Sequence, residues 1–344
     1  MALEFDDSRL DDPEALASAD EQLRHLATTG ARVRMAADAV NAVRSDTLDL
    51  GGRPRGVIAL GAEARLVRAM LEPVCPVPFV AWQFDRLPGW VGPLDLVVVL
   101  ASEGSEPDLM TAVGEAVRRG ANILVAADPD SPIAEQAASR STVLLPTRQA
   151  DPLATVVVAL EVLHLLGLGP SVSTQEVARR ADTVAEACSP HRDIASNPAK
   201  EVALAMADAE PLVWGGSVLA ARAARRVAEA LRRASGRPAL AADATALLPV
   251  IDASRPRDPF ADPFDEGGQA PPSVLLVLDD GMQDERVRRE RGELVSLAER
   301  RGMRVCQIGV AGDEPVGDLG RYVELLQGGL FTATYLQLGL DGER

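Results

Sequence analysis

The sequence predicts an α/β fold in which two doubly wound parallel sheets follow one another along the chain. Short, almost wholly apolar segments bounded by glycine or polar residues, such as 56–61 and 94–100, have the composition of strands buried on both faces of a parallel sheet. Segments with helical spacing of their apolar residues follow these strands, and alternation of strand and helix is typical of parallel sheets. The pattern occurs before Gly169 and again after it, which indicates an internal duplication.

The elements are assigned in chain order from this alternation. In the first half we expect helices at 8–29, 31–48, 64–71, 106–119, 132–138 and 153–165, and strands at 56–61, 94–100, 122–126 and 142–145. In the second half we expect helices at 174–187, 197–208, 218–234, 283–301 and 317–338, and strands at 211–214, 238–241, 274–278 and 305–310.

These elements predict an N-terminal helical arm at 1–50, a first domain at 51–169 and a second domain at 170–344. The segment 252–273 is dense in Pro, Gly and Asp and has no periodicity. Such a composition is typical of loops that pack little apolar surface. We therefore expect this segment to be a mobile excursion from the second domain.

Composition excludes several classes of protein. The 344 residues include 51 Asp and Glu against 35 Lys and Arg, which gives a net charge of −16. Nucleic acids and anionic membranes are bound through basic surfaces, so neither is expected as a partner. Cys75, Cys188 and Cys306 lie far apart without a Cys or His cluster around them, which indicates neither a metal site nor a disulfide framework.

The chain also shows no targeting or membrane-spanning pattern. Its N-terminus is acidic, unlike a signal peptide. The longest apolar run, 156–169, contains Glu161 and His164 and is too short to cross a bilayer. We therefore expect a cytoplasmic protein.

Candidate ligand loops follow two of the expected strands. Ser102-Glu103-Gly104-Ser105 lies between a buried strand and a helix, where open α/β sheets bind ligands. The alternative is a tight turn whose serines cap the helix and whose glutamates suit its dipole. Gly215-Gly216-Ser217 has the same context in the second half, and for it a simple turn with an N-cap is the favoured interpretation.

His191 is the only histidine in a polar loop. Such a histidine can act as an acid or a base, although an exposed loop residue without chemistry is the more ordinary interpretation. Two other enzyme classes lack their motifs: Gly61-Ala62-Glu63-Ala64-Arg65 has only the first glycine of a dinucleotide-binding turn, and the chain contains no G-x-S-x-G elbow.

Several segments together resemble the sugar isomerase (SIS) superfamily, specifically the bifunctional phosphoglucose/phosphomannose isomerase family and its actinobacterial relatives. The resemblance rests on Leu10-Asp11-Asp12, Ala19-Asp20, Gly30-Ala31-Arg32-Val33, Gly61-Ala62-Glu63-Ala64, Ser102-Glu103-Gly104-Ser105-Glu106, Asn197-Pro198-Ala199-Lys200 with Ala203, the strand, GGS turn and helix at 211–234, and the helix at 319–339. It implies two SIS domains in tandem, a homodimer, a sugar-phosphate ligand and no metal or organic cofactor.

The resemblance also implies a catalytic set that this chain lacks. Active relatives move a proton between two carbons of an aldose or ketose phosphate with a glutamate, and open the sugar ring with a histidine. At the position of the glutamate the chain has Arg233. The position of the histidine falls near Pro249, and the chain has no histidine after His191. The family arginine falls near Leu153, with Arg148 close by, and the C-terminal lysine has no counterpart, because Lys200 is the chain's only lysine.

Acidic residues also alter the expected phosphate loops, since Glu63, Glu103 and Glu106 accompany Gly61, Ser102, Gly104 and Ser105. A carboxylate about 5 Å from a phosphate costs roughly 3 kcal/mol per charge pair at an effective dielectric constant near 20.

The sequence therefore predicts a carbohydrate-derivative (sugar-phosphate) binding protein without the catalytic set, acting as a sensor or partner in sugar-phosphate metabolism. The alternative is an active isomerase that converts glucose 6-phosphate or mannose 6-phosphate to fructose 6-phosphate.

Assembly and ligand contacts complete these expectations. The apolar stripe Leu325, Leu326, Leu330, Phe331 and Tyr335 suggests that the C-terminal helix forms the dimer interface. The ligand-binding candidates are Gly61, Ser102, Gly104, Ser105, Gly215, Gly216, Ser217 and His191.

Overall fold

A computed structural model describes residues 5–43, 52–148, 151–254, 271–312 and 316–341. Its helices are α1 Pro13–Ser18, α2 Asp20–Ala27, α3 Thr29–Val43, α4 Ala64–Leu71, α5 Pro107–Arg118, α6 Pro132–Ala137, α7 Pro152–Leu165, α8 Thr174–Ala187, α9 Pro198–Ala205, α10 Val218–Ser235, α11 Ala244–Ala253, α12 Glu285–Arg300 and α13 Asp318–Leu340. Its strands are β1 Val57–Leu60, β2 Phe79–Trp82, β3 Leu96–Ala101, β4 Asn122–Ala127, β5 Thr142–Pro146, β6 Glu210–Gly215, β7 Leu240–Ala241, β8 Ser273–Asp279 and β9 Arg304–Gly309.

The chain divides into two compact units. The central unit is Thr29–Arg179, and the C-terminal unit is Arg180–Arg344 together with Met1–Thr28. These limits differ from the predicted boundaries near residues 50 and 169, because the first half of the expected arm packs with the C-terminal unit. Most of the predicted mobile excursion, residues 255–270, lies outside the described residues.

The central unit contains a five-stranded parallel sheet in the order β2-β1-β3-β4-β5. β1 and β3 are fully buried, which explains their continuous apolar sequences. Helices α5 and α6 pack on one face through a cluster that includes Val113 and Ile133. The chain adds β2 on one side of β1 and β3 on the other, so the direction of winding reverses between β1 and β3.

The C-terminal unit repeats this plan with four parallel strands in the order β7-β6-β8-β9. Its winding reverses between β6 and β8. Helices α11 and α12 cover one face through Leu247 and Leu294, which pack with Trp214 of β6. The predicted α/β fold of two doubly wound parallel sheets is confirmed.

Helix α13 corrects the expectation about the dimer interface. Leu325, Phe331 and Tyr335 are buried within the chain itself, where α13 packs against α10 and α9. Because these side chains are already shielded from water by their own unit, their burial does not require a second subunit. Leu326 and Leu330 are half-buried, so most of the stripe on α13 is covered by its own chain and does not by itself indicate a dimer.

Three elements differ from the sequence prediction. The single helix expected at 8–29 is a 3₁₀ turn followed by α1 and α2, because Asp6 and Asp12 each cap a new start. β2 and α11 were not predicted at all. β2 is only four residues long and half-buried at a sheet edge, and α11 contains Pro249.

Candidate functional site

The carboxyl edge of the central sheet holds two of the predicted loops side by side. Leu60 at the end of β1 pairs in register with Val99 of β3. Gly61 follows with a φ of +105°, and a Cβ at this position would overlap the carbonyl oxygen of Leu100. Only glycine combines this backbone conformation with so close an approach. The structure thus brings Gly61 and the Ser102 loop together where the winding reverses, the place where such sheets bind ligands.

The loop after β3 presents two serine hydroxyls. Ser102 is half-buried and Ser105 is exposed, and neither hydroxyl makes a hydrogen bond within the described parts of the chain. The N-cap of α5 is Glu106, whose side chain makes no capping hydrogen bond. The serines therefore do not cap the helix, in contrast to the alternative interpretation of this motif.

Gly104 fixes the path of this loop. Its φ is +72°, and a Cβ would come within 2.6 Å of the Ser131 Cβ. Its carbonyl oxygen accepts a hydrogen bond of 3.2 Å from the backbone N–H of Ile133. The loop is thereby held against the start of α6, with its two serines on either side of Gly104.

Carboxylates line the same edge. The backbone N–H of Glu103 donates to Glu106 Oε1 over 3.3 Å, and Glu106 Oε2 is buried without a hydrogen-bond partner among the described residues. Glu63 is only 5% exposed, whereas Glu103 is exposed. The loop's own glutamate thus occupies an N–H group that would otherwise suit an anion.

The corresponding turn of the C-terminal unit is closed by the protein itself. Ser217 Oγ accepts the Ala220 N–H over 3.0 Å as the N-cap of α10, and donates to Asp280 Oδ2. Asp280 is 5% exposed, and its Oδ1 accepts the Met282 N–H over 3.2 Å. Cβ atoms at Gly215 and Gly216 would overlap neighbouring atoms. The structure therefore favours the simple-turn interpretation of this motif.

His191 lies on a loop of the C-terminal unit, outside the turn at 215–217. It is exposed on a loop whose Ser189 hydroxyl accepts its backbone N–H over 3.4 Å. The loop lines an open cavity of about 550 Å³ together with Asp11 and Leu16 of the N-terminal segment. None of the residues 215–217 lines this cavity.

Lys200 has a structural role. Its side chain is fully buried, and Nζ donates to Asp11 Oδ1 over 2.7 Å and to the carbonyl oxygens of Pro190 and Arg192 over 3.0 and 2.7 Å. The expected ion pair is present, but Asp11 rather than the adjacent Glu201 is its partner. All three N–H donors of the ammonium group are therefore engaged in hydrogen bonds.

The helix that carries Arg233 offers no free base. Glu229 is the only carboxylate on this helix. Its Oε1 is 2.5 Å from Nη2 of Arg233, and its Oε2 is 3.3 Å from Nη1 of Arg226. Pro249, near the position of the family histidine, lies in α11. Among the described residues, no three His, Cys, Asp or Glu side chains are placed to hold a metal ion, and no helix is long and apolar enough to cross a membrane.

Comparison with known proteins finds a sequence similarity in the C-terminal half of the chain. Residues 195–340 match the sequence model of the bacterial phospho-glucose isomerase C-terminal SIS domain. The C-terminal unit is similar to a SIS domain. No curated protein matches the chain in sequence.

Solved structures extend this likeness to nearly the whole chain. The tagatose-6-phosphate ketose/aldose isomerase from Escherichia coli has a TM-score of 0.69 at 13% identity, with 94% of each chain covered. The C-terminal domain of glucosamine-fructose-6-phosphate aminotransferase from Francisella tularensis has a TM-score of 0.65 at 11% identity, covering 92% of this chain and 95% of that one. A glucose-6-phosphate isomerase like protein from Thermus thermophilus has a TM-score of 0.51 at 18% identity, with 92% of each covered. Both units of the chain therefore have SIS-type folds.

Proposed function

We propose that the protein binds a phosphorylated carbohydrate at the carboxyl edge of the central unit and does not isomerise it. The observation that carries this proposal is the pair of serine hydroxyls at Ser102 and Ser105. They stand at the reversal point of the sheet without partners in the described structure, whereas Ser217 in the equivalent turn is bonded to Asp280. The hydroxyls are available to the oxygen atoms of a sugar or its phosphate.

The proposed absence of catalysis rests on the groups at and near the positions where the resemblance places the catalytic set, whereas Glu63, Glu103 and Glu106 at the proposed site would repel a phosphate. Aldose–ketose conversion requires a base beside the carbon that loses its proton, and such a base contributes about 10²–10⁴-fold to the rate. Arginine, which stands at position 233 where the resemblance expects the glutamate, does not act as a base in proteins. Glu229 is held by two arginines, and Lys200 is saturated with acceptors. The role that fits binding without turnover is that of a sensor or partner in sugar-phosphate metabolism.

Isothermal titration calorimetry tests the proposed binding site. Glucose 6-phosphate, mannose 6-phosphate and fructose 6-phosphate form the first panel, and extension to other phosphorylated sugars identifies the best ligand. We expect the double variant Ser102→Ala, Ser105→Ala to bind that ligand at least about tenfold more weakly, because each lost hydrogen bond contributes roughly 1 kcal/mol.

Ser296→Ala is the matched control, since Ser296 is an exposed serine on α12. This variant should bind like the wild type. Equal affinity of the double serine variant and the wild type would refute the assigned site. Absence of binding to every phosphorylated sugar would refute the function.

Three finer assignments belong to the same proposal. The sequence resemblance supports a relationship to the bifunctional phosphoglucose/phosphomannose isomerases and a homodimer, and the acidic N-terminus supports a cytoplasmic location. Light scattering at micromolar concentration tests the homodimer, for which we expect twice the chain mass of 36.3 kDa. A monomeric mass would contradict it.

A further inference from the structure

Two aromatic side chains are in contact at the end of β2, where Trp82 is half-buried and Phe84 is exposed. Trp82 is the last residue of β2, and its ring centroid is 4.9 Å from that of Phe84, with the ring planes inclined by 58°. Phe84 is 67% exposed. Among the described residues after Arg180, the large aromatic side chains Trp214, Tyr322, Phe331 and Tyr335 are buried. Phe84 is thus an exposed aromatic side chain of the central unit that rests on a half-buried one.

Strand register places this pair beside the candidate ligand site. Trp82 pairs with Leu60, the residue before Gly61. Trp82 also packs against the same cluster as Val113 of α5, and α5 begins directly after the Ser102 loop. Because neighbouring strands are about 4.8 Å apart, β2 lies about 10 Å from β3 across the sheet. One hexose ring spans less than this backbone distance, so a ligand that touches both places carries a further group beside that ring.

Charges of both signs lie along this edge, since Asp85 is exposed next to Arg86 and the buried Glu63 stands two residues before Arg65. Arg65 at the start of α4 donates to the Gln83 side chain, which lies between the two aromatic residues in sequence, and Arg86 is exposed two residues after Phe84. At the other end, Glu103 and Glu106 accompany the serine loop. Cations beside Trp82 and Phe84 suit phosphate groups, whereas carboxylates suit the hydroxyl donors of a sugar.

We propose that the ligand is a nucleoside diphosphate sugar. Its base stacks on Trp82 and Phe84, its diphosphate lies beside Arg65 and Arg86, and its sugar hydroxyls meet Ser102, Ser105 and Glu106. This orientation places the phosphates beside two arginines and away from Glu103 and Glu106. The inference rests on the proposed function, because it uses the same site and adds the class of ligand.

Calorimetric titration of the full chain tests the inference with UDP-glucose and GDP-mannose as the two base-bearing probes. Glucose 1-phosphate and glucose 6-phosphate are the probes without a base. We expect at least one base-bearing probe to bind about tenfold or more tightly than either hexose phosphate, because stacking of a base on aromatic side chains supplies a gain of that order. Phe84→Ala should abolish the gain and leave the affinity for the hexose phosphates unchanged.

Leu94→Ala is the matched control, since Leu94 is 68% exposed and precedes β3 at the opposite edge of the sheet. It should leave all affinities unchanged. If hexose phosphates bind through the serines and the base-bearing probes bind no more tightly, the inference is overturned and the proposed function stands. If no probe binds and no other phosphorylated sugar does, both fall. If Phe84→Ala converts a dimer into a monomer in light scattering, a second copy covers the pair and the inference is overturned.

Discussion

Lys200 shows how single residues hold the C-terminal unit together. Its buried ammonium group joins Asp11 to two backbone carbonyls of the loop at 190–192. The sequence predicts an ion pair for this residue but not its partner, because Asp11 lies 189 positions away. Helical spacing and local charge report neighbours within a few residues only.

Replacement of this lysine tests the network. Lys200→Met leaves two carbonyl oxygens and one carboxylate without their donor, and loss of such a group costs about 1–3 kcal/mol. We expect the free energy of unfolding in urea to fall by that amount. The control is Glu201→Gln at the adjacent exposed position, which should change it by less than about 0.5 kcal/mol. Equal effects of the two variants would contradict the assignment.

Cys188 makes stability depend on alkaline pH. Burial raises the pKa of its thiol from 9.0 to about 12. Between these values the unfolded thiol loses its proton while the folded thiol keeps it, so stability falls as pH rises from about 9 towards 12, by up to about 1.4 kcal/mol per pH unit. Burial also raises the pKa of Tyr335, which acts in the same direction.

Urea denaturation of the wild type and Cys188→Ala at pH 8 to 11 measures this contribution. We expect the stability of the variant to fall less steeply above pH 9, with a remaining slope from Tyr335. Parallel curves for the two proteins would show that the thiol of Cys188 contributes nothing.

At the scale of elements, the turns after β1 and β6 depend on glycine. A Cβ at Gly61 would overlap the Leu100 carbonyl oxygen, and one at Gly215 would overlap the backbone of Ala220. Both obstacles are backbone atoms, which cannot rotate away. The two turns are therefore fixed by close packing between a loop and the neighbouring strand or helix.

Gly61→Ala tests this dependence. The positive φ of Gly61 alone costs an L-residue about 1–2 kcal/mol, and the overlap with Leu100 adds roughly 1–3 kcal/mol. We expect Tm to fall by several degrees, or the variant to be insoluble. Gly89→Ala is the control, because a Cβ at Gly89 meets no atom within 4 Å and its φ is not positive. A Tm for Gly61→Ala equal to that of the wild type would contradict the argument.

Elements with strong local patterns were predictable, and those without them were not. The runs at 94–100 and 122–126 match β3 and β4 to within two residues because both strands are buried on both faces. β2 was not predicted, because its four residues are half-buried at the edge of the sheet and follow several prolines. Without this strand, the sequence gives no indication that Trp82 and Phe84 lie beside the candidate site.

At the scale of the whole molecule, the two units share the same sheet topology around their first turns. They differ in whether the serine hydroxyls of these turns are free to bind a ligand. The Ser102 loop was predictable because strand, turn and helix follow one another in sequence. The closure of the Ser217 turn was not predictable, because Asp280 reaches it through the pairing of β6 with β8. We therefore expect one ligand site per chain, in the central unit.

Ser217→Ala tests this asymmetry. Loss of an N-cap costs about 0.5–2 kcal/mol, so the free energy of unfolding should fall while the affinity for the phosphorylated sugar stays unchanged. Ser102→Ala should show the opposite pattern, weaker binding with unchanged stability. A loss of ligand affinity in Ser217→Ala would place a ligand at the C-terminal unit and contradict the expectation.

Proton NMR in D₂O with glucose 6-phosphate tests binding and the absence of catalysis in one sample. An isomerase exchanges the C2 proton for deuterium and forms fructose 6-phosphate, since both steps use the same base. We predict saturation transfer from the protein to the sugar, a C2 proton signal that persists as in a protein-free control, and no fructose 6-phosphate. Loss of the C2 signal faster than in the control, or absence of any saturation transfer, would contradict the account.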